Sequence, residues 1–209
     1  MILQIPVKGV FVTNCYIFAD DNTRHGFIID PGAQADVILS AVHKYGLSIE
    51  KILLTHGHFD HFGAAAKLRD TLGCPVMAHE NGDMYLLDPS MNLSRQCGVT
   101  MTLNNTEKFS DGDVIALAAA HEYDIKVIHT PGHTPDSVIF YCKEQNVAFV
   151  GDTIFRHSIG NFTYPGGNRT DLVNSIFKHI LTLPADTVLL SGHSEQTTVS
   201  DEMAFYKVQ

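Results

Sequence analysis

Basic residues are scarce in this chain: 14 lysines and arginines stand against 23 aspartates and glutamates, a net charge of −9 over 209 residues. A nucleic-acid partner needs clustered cations to meet its phosphates, so none is expected. Cysteine is scarce as well. Cys15, Cys74, Cys97 and Cys142 are widely scattered with no C-x-x-C pair, as in a reduced protein of the cytosol. No apolar run is long and unbroken enough to span a bilayer. The start, Met1 to Lys8, lacks the basic, apolar and small-residue blocks of a signal peptide, so a cytoplasmic protein without a membrane partner is expected. No Gly-x-Ser-x-Gly elbow occurs and no cysteine neighbours a ligand-type residue, so nothing points to a covalent nucleophile. No low-complexity segment or linker interrupts residues 1–209, which read as one domain.

What the chain does have is a dense cluster, Thr55-His56-Gly57-His58-Phe59-Asp60-His61, directly after the apolar run Ile52-Leu53-Leu54. Three imidazoles and a carboxylate fall within six residues. Isolated core or surface histidines do not alternate beside an aspartate in this way. Metal ions do call for such a set, since neutral imidazole and carboxylate suit zinc, iron and manganese. Three further candidates each follow a glycine at the end of an apolar run: His133 in Thr-Pro-Gly-His-Thr, Asp152 in Val-Gly-Asp-Thr, and His193 in Ser-Gly-His.

Hydrophobic periodicity places these groups. A hairpin is expected over Val10-Phe11-Val12, Cys15–Phe18 and Gly26–Asp30, followed by a helix over Ala35–Tyr45 and a strand over Ile49–Leu54. Helices follow at Ala64–Leu72 and Glu80–Leu87 around a short strand at Val76–Ala78. Residues 88–113 show little pattern. The second half predicts strands at Val114–Leu117, Ile125–Thr130, Val138–Tyr141 and Val147–Val150, then a helix at Leu172–Leu181 and a strand at Thr187–Leu190. Strands, a helix and a donor-bearing strand end thus occur twice. The expected fold is α+β, a four-layered αβ/βα sandwich of two facing mixed sheets with helices outside and a site at one rim.

His-x-His-x-Asp-His, followed by a distant Gly-His, Gly-Asp and Gly-His, resembles the metallo-β-lactamase superfamily, and within it the short glyoxalase II (hydroxyacylglutathione hydrolase) group. The resemblance runs from Asn14-Cys15-Tyr16 and Asp30-Pro31-Gly32 through His193. It implies that His56, His58 and His133 hold one metal, Asp60, His61 and His193 a second, and Asp152 bridges both. Seven donors exceed the four of one tetrahedral zinc and suit two divalent ions, zinc first with iron or manganese as alternatives. Such a pair shares a water-derived hydroxide at neutral pH and polarises a carbonyl, with Asp60 helping to position the hydroxide. Asp30 reads either as an acceptor for a ligand imidazole or as a turn aspartate. His157 is close enough to Asp152 in sequence to line the pocket and is read as no ligand.

The expected reaction is hydrolysis of a small-molecule thioester such as S-lactoylglutathione or a related hydroxyacyl thioester. A mono-iron persulfide dioxygenase of the same fold, or a hydrolase of another ester, is the alternative. Substrate contacts are sought in the loop Asn161 to Arg169, with Asn161, Tyr164 and Arg169 as candidates. The helical C-terminal domain of the longer glyoxalase II members is not expected in a chain that stops soon after His193, at Gln209, and the resemblance is to the short single-domain members. From these it departs in two features: Asn161 stands where an arginine is usual, and Gly192-His193-Ser194-Glu195 replaces Gly-His-Gly-Pro. The departures fall on glutathione recognition and leave the metal donors intact.

Overall fold

The computed structural model describes residues 1–207. In chain order these form β1 Ile2–Lys8, β2 Val12–Ala19, β3 His25–Ile29, α1 Ala35–Tyr45, β4 Ser48–Leu53, α2 Phe59–Phe62, α3 Ala65–Leu72, β5 Val76–His79, α4 Asp83–Leu86, β6 Glu107–Phe109, β7 Val114–Ile115, β8 Ile125–His129, β9 Val138–Cys142 and β10 Val147–Gly151. There follow β11 Ile154–Phe155, β12 Ser158–Ile159, α5 Arg169–Ser175, β13 Val188–Ser191, β14 Thr197–Thr198 and α6 Val199–Lys207. A π-helical segment, Ile176–Ile180, continues α5.

Side-chain alternation builds the layers, because successive residues of a strand face opposite sides. Along β2, Tyr16 and Phe18 face one apolar cluster while Cys15, Ile17 and Ala19 face another. The same split runs through β10, where Val147 and Phe149 face the first cluster and Ala148 and Val150 a third. The shared cluster is rich in aromatics and lies between two sheets, ordered β1-β2-β3-β4-β5-β6 and β14-β13-β10-β9-β8-β7. Helices α1 and α3 cover the outer face of the first sheet, and α5 covers that of the second beside Val199 of α6. Both sheets mix parallel and antiparallel pairs. The four-layered α+β sandwich expected from the sequence is the fold observed.

Local differences have local causes. Strand β1 was not expected; it is an edge strand antiparallel to β2, with only Val7 fully buried, so its pattern is weak. Residues 9–11 form a turn rather than strand, and β2 starts at Val12. The expected helix at Glu80–Leu87 shrinks to the single turn of α4. The patternless stretch 88–113 contains β6, and α6 and β14 follow the last expected element. All four cysteines are free.

The two sheets are fastened where the site forms. Asn14 Nδ2 donates to the carbonyls of Ser191 and Ser194 at 3.0 and 2.9 Å, and Tyr16 Oη donates to Ser191 O at 2.7 Å. Val138 N donates to Thr55 O at 2.9 Å. Strand ends of opposite sheets are thereby held at one rim. Behind them Phe149 packs on Tyr16 and Phe18, with ring centroids 5.4 and 5.3 Å away. Phe149→Ala is expected to destabilise the protein by about 3–5 kcal/mol, read as a lower urea midpoint at unchanged m-value.

Candidate metal centre

Each donor leaves the end of an element. β4 delivers Thr55, His56 and His58, and the first turn of α2 carries Asp60 and His61. His133 follows β8, Asp152 follows β10 and His193 follows β13. Close approach at this rim leaves little room for side chains on the connecting residues. Gly151 has φ +48°, and a Cβ there would sit 2.4 Å from Thr55 Oγ1. At Gly192 a Cβ would lie 2.4 Å from Asp152 Oδ1 and 2.7 Å from His61 Cε1.

All seven candidate donors come together. Facing atoms of His56, His58 and His133 lie within 4.8 Å of one another, as do those of Asp60, His61 and His193, and those of His56, His61 and Asp152. His58 Nδ1 is 3.1 Å from His56 Nε2 and 3.0 Å from His133 Nε2. His193 Nε2 is 3.3 Å from His61 Nε2 and 3.2 Å from Asp60 Oδ2. Asp152 stands between the groups, its Oδ1 3.4 Å from His61 and its Oδ2 3.4 Å from His193 and 3.6 Å from His133.

The outer hydrogen bonds decide what these atoms can hold. A carbonyl only accepts, so His133 must donate through Nδ1 to Asn161 O at 2.6 Å, and His193 through Nδ1 to Val12 O at 2.8 Å. His61 Nδ1 donates to Asp30 Oδ2 at 2.9 Å. Thr55 Oγ1 donates to the same carboxylate at 2.7 Å, which leaves its lone pair to accept from His56 Nδ1 at 3.1 Å. In their neutral forms all four imidazoles therefore aim a bare Nε2 lone pair inward. His58 is turned the other way, with Nδ1 inward and Nε2 buried without a protein partner. Asp152 Oδ1 is likewise buried and unpaired. Converging nitrogen lone pairs with buried carboxylate oxygens among them suit cations, and the residues fit a metal site.

Protonation follows position. Burial holds the imidazoles of His56 and His58 well below the usual range, helped by the neighbouring rings, and burial also lowers His133. Burial would lower His61 too, but Asp152, Asp30 and Asp60 outweigh it and push the ring up to about 10. Asp60 is moved the opposite way: burial would raise it, yet His61 and His193 hold it well below the usual carboxylate range. The carboxylates that keep a proton on His61 mark where positive charge is wanted.

Residues 9–193 match the family described as the Metallo-beta-lactamase superfamily. The chain belongs to the metallo-β-lactamase superfamily. This superfamily chain is 32% identical to the hydroxyacylglutathione hydrolase GloC of Haemophilus influenzae over 205 residues, 95% of this chain and 92% of GloC. Among solved structures it resembles the BLEG-1 B3 metallo-beta-lactamase, at 36% identity and a TM-score of 0.91 over 98% of this chain and 97% of the other. It also resembles TTHA1623 in a di-iron-bound form, at 30% identity and a TM-score of 0.84 over 96% of each chain.

The substrate candidates separate. Asn161 and Tyr164 line the cavity of about 230 Å³ over the donors, with the Tyr164 ring 5.8 Å from that of His58. Arg169 opens α5 and lines a different cavity with Phe177 and Tyr206, so it is no contact at this centre. His157 lines that other cavity as well. Asp30 accepts from His61 and from both donors of Thr55, the positioning role left open by the sequence. Three lining residues escaped the sequence reading. Phe11, Leu93 and Phe155 line the donor cavity, though nothing in their local pattern distinguishes them from core side chains. Asp136, beyond the Thr-Pro-Gly-His-Thr motif, is 1% exposed, and burial pushes its carboxyl up to about 7.

Asparagine at position 30 can accept from His61 or from Thr55 but cannot replace both carboxylate oxygens. Asp30→Asn is expected to weaken zinc binding about 10–100-fold, most at the ion beside Asp60, His61 and His193, as followed by calorimetric titration. Asp136 gives a pH prediction. Between about pH 4 and 7 the unfolded chain has lost this proton while the folded chain keeps it, so folding stability falls as pH rises. Across that window Asp136→Asn is expected to flatten the slope by up to about 1.4 kcal/mol per pH unit, seen in urea melts against the wild type.

Proposed function

We propose that this protein is a binuclear metal-dependent hydrolase that cleaves thioesters, carried on a single domain. The observation that carries the reading is the complete second donor group. Asp60, His61 and His193 converge beside His56, His58 and His133, with Asp152 between them. A mono-iron dioxygenase of the same fold keeps the histidine motif but uses one iron, so the count of bound ions and the assay below separate the two readings. Likeness to GloC and to the di-iron form of TTHA1623 supports the same reading.

Divalent ions bound here supply a water activated at neutral pH and polarisation of a carbonyl oxygen. The chain's own residues do the rest. Asp30, Thr55, Val12 O and Asn161 O orient the imidazoles, so the donor set is arranged before substrate arrives. Asp60 is held ionised and accepts a hydrogen bond from Thr13 Oγ1 at 3.2 Å, which fixes its orientation among the donors. Tyr164, Asn161 and Phe155 narrow the mouth. A thiolate is a good leaving group near neutrality, so cleavage of a thioester asks for no buried general acid.

The decisive assay compares hydrolysis of S-lactoylglutathione and simpler thioesters with oxygen uptake on glutathione persulfide. Thioester cleavage that is lost to chelator, restored by zinc, manganese or iron, and retained when all four cysteines are replaced is the expected result. Oxygen consumption without thioester cleavage would transfer the protein to the dioxygenases. Asp152→Ala is expected to lower activity by at least about a thousandfold and to reduce the bound metal measured by elemental analysis.

A further inference from the structure

A second cavity of about 300 Å³ adjoins the metal centre, and Phe11 and Asp60 line both. Its walls are chiefly Val10, Phe11, Phe59, Val99 and Met101. Large apolar side chains are left open to water here: Val10 is 53% exposed, Phe11 43% and Val99 37%. The Phe11 ring lies 6.0 Å from that of Phe59, so the wall shared with the metal centre is itself aromatic.

The polar side chains of this cleft are few, and apart from Asp60 they are uncharged. Thr13 Oγ1 donates to Asp60, and Gln34 Oε1 accepts from Lys8 N at 2.6 Å. Among the described residues no lysine or arginine lines either cavity. Arg156, next to Phe155, is tied to the carboxylate of Glu195. Asn161 lines the donor cavity and not the cleft; its side-chain oxygen accepts from both Thr163 N and Thr163 Oγ1 at 2.8 Å, which leaves its Nδ2 as a single neutral donor there. A glutathione group would bring two carboxylates to cleft walls that hold Asp60 and, among the described residues, no cationic side chain. Charges desolvated without partners are strongly disfavoured, whereas an apolar arm placed there only loses water.

We infer that the cleft walled by Val10, Phe11, Phe59, Val99 and Met101 seats an uncharged apolar arm of the substrate, so that the substrates are neutral alkyl or acyl thioesters rather than glutathione conjugates. This rests on the thioesterase reading for its chemistry but not for its binding test. Carbonyl and sulfur lie over the donors, and the arm passes Phe11 into the cleft.

The test uses zinc-loaded protein and thioethers that cannot be hydrolysed. S-hexyl-N-acetylcysteamine is expected to bind saturably and to shift the backbone amide signals of Val10, Phe11, Val99 and Met101. Its Kd should be about tenfold tighter than that of the S-butyl analogue, roughly threefold for each methylene buried. S-hexylglutathione, with the same alkyl arm and a charged head, should bind at least about tenfold more weakly. Val10→Lys, at an exposed position, should weaken S-hexyl-N-acetylcysteamine about tenfold with an unchanged melting temperature. The wild-type chain-length and head-group comparisons stand if that variant fails to fold. Equal or tighter binding of S-hexylglutathione, no chain-length effect, or shifts confined to the cavity around Arg169 and Tyr206 would overturn the assignment. The matching thioesters separate the two ideas. Apolar preference in binding without any cleavage sinks the thioesterase and leaves the cleft, while cleavage with a glutathione preference sinks the cleft and leaves the thioesterase.

Discussion

Four of the five imidazoles at this rim are turned inward by partners that hold their far nitrogens, and only His58 has its far nitrogen buried without one. Here that outer support comes from two main-chain carbonyls, one threonine hydroxyl and the carboxylate of Asp30. Asp30 is the most heavily used. It accepts from Thr55 N, Thr55 Oγ1 and His61 Nδ1, and so sets the direction of His61 and, through Thr55, of His56. Its own φ of +51° is uncommon for a residue with a side chain, and the three bonds are what hold it there. The inward lone pairs follow from this outer ring of bonds.

The sandwich places that ring. His56, His58, Asp60 and His61 leave the first sheet, whereas His133, Asp152 and His193 leave the second. Neither sheet alone holds a full donor group of the kind needed for one ion plus a bridge. The aromatic interior that presses Tyr16, Phe18 and Phe149 together therefore also fixes the spacing between the two halves of the site. Hydrogen bonds from Asn14 and Tyr16 to the turn bearing His193 make the same connection at the rim. Core packing and donor geometry are in this sense a single constraint.

Much of this was legible in the sequence because ligand chemistry imposes residue type and spacing together. Three imidazoles and an aspartate after an apolar strand have few other uses, and the glycine-donor pairs at later strand ends pointed to one rim. The layers were legible because β2, β3, β9 and β10 alternate cleanly between clusters. Less legible were elements whose partners lie far away in sequence. β1 exposes most of its length, β6 is three residues long, and α6 follows a polar turn. Arg169 looked close to the site along the chain, but the turn at Gly166 and Gly167 sends α5 to the outer face of the second sheet. Phe11 was concealed for the opposite reason. Its apolar neighbours made the segment look like strand, while in the fold it is a turn that carries an aromatic ring to the edge of the metal centre.

Two acidic side chains near the centre show how its charge is confined. Asp60 lies among His61 and His193, whose positive potential outweighs burial and keeps it ionised. Asp136 lies behind Gly57, where a Cβ would come within 3.2 Å of its Oδ2, and there burial prevails and pushes the carboxyl up to about 7. The same functional group is thus an anion on the donor side and close to a neutral acid on the strand side. Were both ionised, the second would compete with the donors for whatever cation the site draws in, and its burial would be offset only in part by Thr134, the Gly57 backbone and Lys108. Asp60 therefore turns its charge to the imidazoles, while the carboxyl behind Gly57 adds little to the potential of the rim. Among the described residues Asp60 is the one charged side chain of the cleft beside Phe11, so the cleft adds no charge of its own to that of the metal centre.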